Sequence, residues 1–205
     1  MLIIRTADDL IDFVDGTEER KTIINKIQEL AQQVVCDAKD MIVMSNPDLL
    51  QLAAPLPKSA EALNDFLYGE MGTIIEKWSR TRGYAIAANP CMGPTLLWIR
   101  GNKVTNRENQ IAVFIFIRTP KLRYDGGIVG DDAEASTRAR IVIRSPISHT
   151  HFAESPLEYQ VGDIVILETD EELVRREGGA SQGICMLYVG HRTIPRESNM
   201  KGDYA

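Results

Sequence analysis

Cysteine and long apolar stretches are both scarce in this chain of 205 residues. Its cysteines, Cys36, Cys91 and Cys185, are odd in number and far apart, which argues against a disulfide framework and a cysteine-based zinc site. No apolar run approaches the ~20 residues that span a bilayer, and the N-terminus turns acidic too soon for a signal peptide. We therefore expect a soluble, cytoplasmic protein without a membrane partner.

Several catalytic motifs are also missing from the sequence. There is no G-x-S-x-G of serine hydrolases, and the glycine-rich segment Gly126–Gly130 lacks the lysine and the Ser/Thr of a phosphate-binding loop. Asp131 and Asp132, which follow it, would repel phosphate. The absence of these motifs favours a protein that is not an enzyme, although catalytic partners usually meet only through the fold.

Charge is unevenly distributed along the chain, whose net charge is −6. Residues 83–123 carry 6 basic and 1 acidic side chains, whereas residues 1–82 carry 9 and 14, and residues 124–205 carry 8 and 14. A basic middle between acidic ends suits docking onto another protein, including a second copy of the chain, better than coating a phosphate backbone. We expect no sequence-specific binding of nucleic acid. A scatter of charges over solvated faces is the alternative.

Up to residue 82 the apolar residues recur at steps of three or four, as on one face of a helix. Thr6 and Asp9 resemble a capping box and predict a short helix, and Asn46-Pro47 predicts another short turn through Leu52. A long helix is predicted on each side of that turn. Their apolar stripes are Ile23, Ile27, Leu30, Val34, Ala38 and Ile42, then Leu63, Leu67, Met71, Ile74 and Trp78.

From Tyr84 onward the apolar residues follow the spacing of two that is typical of strands. The segment Ile111–Ile117 is apolar on both faces, which predicts a central strand covered by the helical part on one side, or by a neighbouring subunit. The sequence therefore predicts an α+β fold, with N-terminal helices packed on a mainly antiparallel β-sheet of about six strands. Residues 1–82 form the helical part and 83–195 the β part of one co-packed domain, and 196–205 form a tail.

The strand limits are predicted from turn residues. Tyr84–Ala88 and Thr95–Arg100 are separated by proline turns, and Leu157–Leu167 forms a single strand. The charged segment Glu168–Gly179 is predicted as a turn or a short helix. Residues 124–138 are acidic and rich in glycine, which predicts a long loop or an extended hairpin tip.

All histidines fall in the β part, and two of them form an H-x-H pair. On a strand, His149 and His151 would project from one face, and His191 with Glu154 could complete a site for one Zn or Fe ion. The pair resembles the first histidine motif of metallo-β-lactamases, and its spacing is similar to that of cupins. This resemblance implies a small metal-dependent, cupin-like enzyme. Surface or hydrogen-bonded histidines, with no cofactor, are the alternative.

The N-terminal part resembles the neck or tail-completion proteins of tailed bacteriophages. The residues that carry the resemblance are Leu2–Arg5, Asp9–Ile11 and the helix end Val34–Lys39 before β structure. Those proteins form rings around a portal or tail tube and have no catalytic residues. The resemblance implies a non-enzymatic structural protein that acts as a homo-oligomer beside other structural proteins, in the host cytoplasm and then in the virion. The chain departs from the family in its greater length and in lacking Pro-x-x-Thr-Gly after the helix.

The assembly hypothesis predicts a charged contact between copies. The acidic loop of one copy would reach the basic segment of the next copy around a ring. The residues predicted to form this interface are Arg100, Arg107, Arg118, Lys121, Arg123, Asp125, Asp131, Asp132 and Glu134. The metal-dependent enzyme that uses His149, His151 and His191 is the alternative function.

Overall fold

The computed structural model describes residues 1–38, 43–44, 49–52, 56–99, 103–105, 109–117, 122–124, 127–129, 140–148, 151–176 and 184–195. These residues form helices and antiparallel sheets, so the predicted α+β fold is confirmed. None of the helices within these ranges combines the length and the hydropathy that a membrane span requires.

The helices lie in the first part of the chain, as predicted. A 3-10 helix at Ala7–Leu10 is followed by α1 (Thr17–Ala38), α2 (Lys58–Tyr68) and α3 (Glu70–Thr81). The single helix predicted over 59–82 is therefore two helices, because Gly69 (φ −77°, ψ −93°) leaves the helical conformation between them. The predicted apolar stripe from Leu63 to Trp78 nevertheless runs across both α2 and α3. Its residues are buried in one core with those stripe residues of α1 whose burial is described.

The strands pair antiparallel throughout the described part of the chain. A seven-stranded sheet has the order β1-β11-β6-β13-β4-β3-β2, a four-stranded sheet has the order β10-β9-β12-β5, and β7 pairs with β8. The strands are β1 Leu2–Ile4, β2 Val43–Met44, β3 Leu49–Leu52, β4 Tyr84–Ile99, β5 Lys103–Thr105, β6 Gln110–Ile117, β7 Leu122–Tyr124, β8 Gly127–Val129, β9 Arg140–Pro146, β10 Phe152–Leu157, β11 Ile164–Leu167, β12 Glu172–Arg176 and β13 Ile184–Pro195.

Strand β6 lies at the centre of the molecule. Its odd-numbered residues from Ile111 to Ile117 pack in a core with the helices, while Ala112, Phe114 and Phe116 pack in a second core with the smaller sheet. The helices therefore cover one face of the large sheet and the smaller sheet covers the other. The two apolar faces of β6 are both buried within one chain, so its sequence pattern requires no neighbouring subunit.

Strand β4 runs unbroken where turns were predicted at Asn89-Pro90 and Gly93-Pro94. It pairs with β13 along its length, with register shifts between Tyr188 and Thr193, but with β3 only at Leu97–Ile99. Proline cannot donate a ladder hydrogen bond and is tolerated at edges and bulges. Among the described strands, the early part of β4 lies at the edge of the sheet and contains bulges. This explains why its prolines do not end the strand.

A turn divides the strand predicted over Leu157–Leu167. Gly162 has φ +92° at this turn and packs directly on α1, where a Cβ would lie 2.8 Å from Gln28 Cγ. The buried carboxylate of Asp163 fixes the turn by accepting hydrogen bonds from Gln160 N–H and Arg5 Nε–H, both at 2.8 Å. The pairing with Asp163 raises the pKa of Arg5.

Two short segments that were predicted as turns are strands. Part of Glu168–Gly179 forms β12, because Leu173 faces the core of the smaller sheet while its neighbours pair with β9 and β5. The predicted turn through Leu52 ends instead in β3, which pairs with the C-terminal end of β4.

At the N-terminus the predicted cap is present, since Asp9 accepts hydrogen bonds from the backbone N–H groups of Arg5 and Thr6.

Candidate functional site

The described histidines lie in different layers of the fold. His191 is on β13, opposite Ile111 of β6, and therefore faces the helices. Its ring meets that of Tyr68 edge-on, with centroids 6.0 Å apart. His151 lies instead at the turn between β9 and β10 of the smaller sheet, where its backbone pairs with Ile147 and Ser148. The structure does not bring these two predicted ligands to one site.

Glu154 and His149 are the other two predicted metal ligands. Glu154 bonds to Arg144, with 2.9 Å between Oε1 and Nη2. His149 is outside the described residues. Within those ranges, no group of three His, Cys, Asp or Glu side chains is placed to hold a metal ion. A metal site that includes His149 stays a prediction.

Most of the predicted charged interface also lies outside the described residues. This applies to Arg100, Arg107, Arg118, Lys121, Asp125, Asp131, Asp132 and Glu134. Arg123 lies in β7, where its backbone pairs with that of Ile128 in β8. The predicted contact between copies therefore stays a prediction.

The turn between β9 and β10 exposes two large apolar side chains. Ile147 is 71% exposed and Phe152 is 42% exposed, and the two residues flank the turn. We call Ile147, Ser148, His151 and Phe152 the hairpin end. Strand β10 is an edge strand whose residues from Phe152 to Pro156 are all exposed. Apolar side chains at an exposed tip are typical of a protein contact.

A network of charges holds the base of this hairpin. The Arg144 guanidinium bonds to Glu154 at 2.9 Å and reaches Glu172 at 3.3 Å, while Lys103 Nζ lies 2.8 Å from Glu172. The same guanidinium lies 5.3 Å from the centre of the Phe152 ring. Its hydrogen bond to Glu154 is the main reason why its pKa is raised. These contacts cross all four strands of the smaller sheet and fix Phe152 in its exposed position.

The hairpin end also contains a serine–histidine pair. Ser148 Oγ lies 3.2 Å from His151 Nδ1, within the reach that a nucleophile and its base require. The spacing Ser148-x-x-His151 does not by itself indicate this pair, because the two side chains meet only where the chain forms a tight turn. Both residues are exposed, and the pair lies on a convex turn.

A cleft lies between the helices and the large sheet beside His191. Its volume is about 430 Å³. We call it the His191 cleft, and its lining residues are Leu67, Tyr68, Gly69, Gly72, Thr73, Ile75, Glu76, Ile86, Ala87 and His191. Burial lowers the pKa of His191, so the imidazole is neutral near pH 7. This cleft could not be predicted from the sequence, because Tyr68 and His191 meet only through the fold.

Sequence similarity to a known protein extends over about half of the chain. No protein-family model matches the chain. A protein-glutamate methylesterase/protein-glutamine glutaminase of Methylobacillus flagellatus is 29% identical to it over 117 residues, which cover 54% of this chain and 29% of that protein. The chain thus spans less than a third of the length of this relative.

Proposed function

We propose that this protein is a non-enzymatic structural protein that assembles with other copies of itself, as a neck or tail component of a phage-like particle. The observation that carries the proposal is the hairpin end, where Ile147 and Phe152 are exposed on a tip that an ion-pair network holds in place. Exposed apolar groups on a rigid support are suited to binding, because few side chains have to become ordered when the contact forms.

The form of the contact follows from strand β10. Among the described strands β10 pairs with β9 alone, and it contains Pro156, which has no N–H to donate, and the charged Glu154. Both residues oppose the addition of another strand to an edge. We therefore expect the hairpin end to dock by its side chains and not by extending the smaller sheet.

The magnitude of the contact limits what the hairpin end can do alone. Full burial of an Ile or Phe side chain contributes about 1.5–3 kcal/mol, and a stable interface buries roughly 800 Å² on each partner. The hairpin end can therefore be the apolar centre of an interface but not the whole of it. Strand β6 cannot add to it, because both of its faces are covered. The predicted contact between basic and acidic segments would supply the remaining area and the register.

Sedimentation velocity of the full chain over a range of concentrations tests this proposal. The double variant Ile147→Ser/Phe152→Ser should weaken the self-association by at least about tenfold without lowering the thermal stability of the protomer. The matched control is Ile11→Ser, since Ile11 is 61% exposed and directly follows the 3-10 helix, which packs in the core of the helices and not in that of the smaller sheet. A wild-type chain that is monomeric at every concentration, or an oligomer that responds equally to both changes, would contradict the proposal.

A second candidate is hydrolysis of a carboxyl ester or amide, and the Ser148–His151 pair favours it. The similarity to a methylesterase/glutaminase points to the same reaction class. In this mechanism His151 would accept the proton of Ser148 as the hydroxyl attacks the carbonyl carbon, and would return it to the alcohol or amine that leaves as the ester or amide bond breaks. Water, deprotonated in the same way by His151, would then hydrolyse the acyl-serine and release the carboxylic acid.

Labelling with a fluorophosphonate, together with hydrolysis of a p-nitrophenyl ester, separates the two candidates. The hydrolase hypothesis expects both signals in the wild type and in Ser155→Ala, which alters an exposed serine on β10, and neither in Ser148→Ala. Equal weak hydrolysis by all three proteins would refute the hydrolase and leave the assembly proposal untouched.

A further inference from the structure

We propose that the His191 cleft binds a small organic cation that combines a flat aromatic ring with a primary amine, as arylalkylamines do. The cleft is separate from the hairpin end, and this inference does not depend on assembly or on hydrolysis. Three features of the cleft carry it, namely its shape, the backbone beside His191 and the charges along its lining.

The shape is that of a ligand site. Leu67 and Ile75 are buried and form an apolar floor, with the half-buried Ile86 beside them. Polar groups stand at its rim, where Tyr68 is partly exposed and Glu76 and Thr73 are exposed. A volume of about 430 Å³ lies within the range of small-molecule pockets. A ring could lie on the floor while its substituent meets the polar rim.

The backbone is irregular where His191 enters the cleft. Strand β13 pairs with β6 in continuous register through His191, but its pairing with β4 shifts on both sides of this residue. The extra residues are therefore in β4, whose Ile86 and Ala87 line the cleft. Bulges of this kind re-aim side chains and often lie beside functional sites. The irregularity is independent of the cleft volume and falls at the same place.

The charges along the lining favour a cation. Glu76 supplies the only formal charge among the described lining residues near pH 7, because burial keeps His191 neutral. Glu76 forms an ion pair with Arg80, which is not part of the lining, so one carboxylate oxygen is already directed away from a ligand. The ring of Tyr68 attracts a cation through its π face. A carboxylate or phosphate would find no cationic partner on these walls.

Binding to the full chain can be measured by calorimetry with three matched probes, namely tryptamine, indole and indole-3-acetate. Tryptamine should bind with a dissociation constant at least about tenfold lower than that of indole-3-acetate. Glu76→Gln should reduce the affinity for tryptamine to that for indole. Tyr68→Ala should weaken the binding of tryptamine and of indole alike. The control is Glu29→Gln, which removes a comparable exposed glutamate that pairs with Lys26 on α1, and it should change nothing.

A pH series gives a second readout. Tryptamine remains a cation between about pH 5 and 8, so any change in its affinity over this range comes from the protein. Among the described residues that line the cleft with His191, the titratable groups are Tyr68 from α2 and Glu76 from α3. Ile86 from β4 is uncharged, as is Ile111 of β6, which pairs with His191. Protonation of His191 would repel the cation, so binding should weaken toward pH 5 in the wild type but not in His191→Gln.

Two results would overturn the proposal. One is the absence of tryptamine binding by a folded wild-type chain, and the other is an affinity that is equal for the three probes or indifferent to both Glu76→Gln and Tyr68→Ala. Circular dichroism of each variant establishes that the fold is retained, and Glu76→Gln, a surface change, keeps the test valid if His191→Gln fails to fold.

Discussion

Replacing Gly162 by alanine should destabilise the protein considerably more than replacing Gly83 does. Both glycines have positive φ, +92° and +80°, so alanine would adopt a left-handed conformation at either position. That conformation costs roughly 1–2 kcal/mol, partly offset by about 0.4–1 kcal/mol from the lower entropy of the unfolded chain. A Cβ at Gly83 would meet nothing within 4 Å, so this variant isolates the conformational cost alone. It should lose about 1 kcal/mol.

At Gly162 a steric cost is added to the conformational one. The new Cβ would lie 2.8 Å from Gln28 Cγ and 3.1 Å from Gln28 Cα. The side chain can rotate, but the Cα belongs to α1, so the turn or the helix has to move. Movement would disturb the bonds from Gly162 N–H to Phe116 O and from Phe116 N–H to Asp163 O, at 2.8 and 3.0 Å. Overpacking of this kind costs about 1–3 kcal/mol, so the total should be about 2–4 kcal/mol.

Urea unfolding followed by circular dichroism measures the free energy of unfolding of each variant. Gln28→Ala should recover part of the loss in a double variant with Gly162→Ala, because it removes Cγ and leaves Cα in place. A loss at Gly162 within about 0.5 kcal/mol of the loss at Gly83 would refute the close contact between this turn and α1. A complete recovery by Gln28→Ala would show that the helix backbone takes no part.

The remaining predictions concern the core, the half-buried histidine His191, the loop and the metal. Val34→Asp should bury an unpaired charge and unfold the helical layer, which loss of the far-ultraviolet helix signal would reveal. The folded-state pKa of His191 is lower than its unfolded value, so the unfolded chain binds a proton at a higher pH than the folded chain does. The stability should therefore fall as the pH is lowered from about 7 to about 5. His191→Gln should flatten that part of the curve of melting temperature against pH, and an unchanged curve would contradict the burial. Deletion of Gly126–Ala133 should weaken the assembly in sedimentation without unfolding the protomer, and added salt should mimic part of this effect; an oligomer indifferent to both would refute the charged contact. Elemental analysis should find no stoichiometric Zn or Fe, whereas a full equivalent that is lost in His151→Ala would establish the metal-dependent alternative.

The elements that could be predicted from the sequence are those whose pattern is local. The stripes of α1 and of α2–α3 and the two apolar faces of β6 require only a count of residues, and the structure confirms as buried all of their residues whose burial is described. The errors arose where a distant partner decides. Strand β4 continues past its prolines because β13 pairs with it, and Gly162 turns the chain where Gln28 leaves no room for a side chain.

The site was predicted less well, because its parts come from separate elements. The H-x-H pair suggested a shared site with His191, but His151 lies on the hairpin of the smaller sheet, in a different layer from β13. Tyr68 and Glu76 appeared only as residues of a helical segment. No spacing rule connects them with His191, since their approach depends on the break at Gly69 and on the irregular pairing of β4.

The order of the strands in the large sheet has a consequence for how the chain folds. Central strand β6 lies between β11 and β13, and the edge strand β1 pairs with β11, so β1 finds its partner only after the chain has been synthesised beyond residue 164. A nascent chain on the ribosome would therefore carry the apolar β6 uncovered until both later strands have emerged. Such long-range pairing slows folding and exposes aggregation-prone surface. Chains truncated before β13 should bind chaperones or aggregate, whereas full-length chains should refold slowly in a single cooperative step.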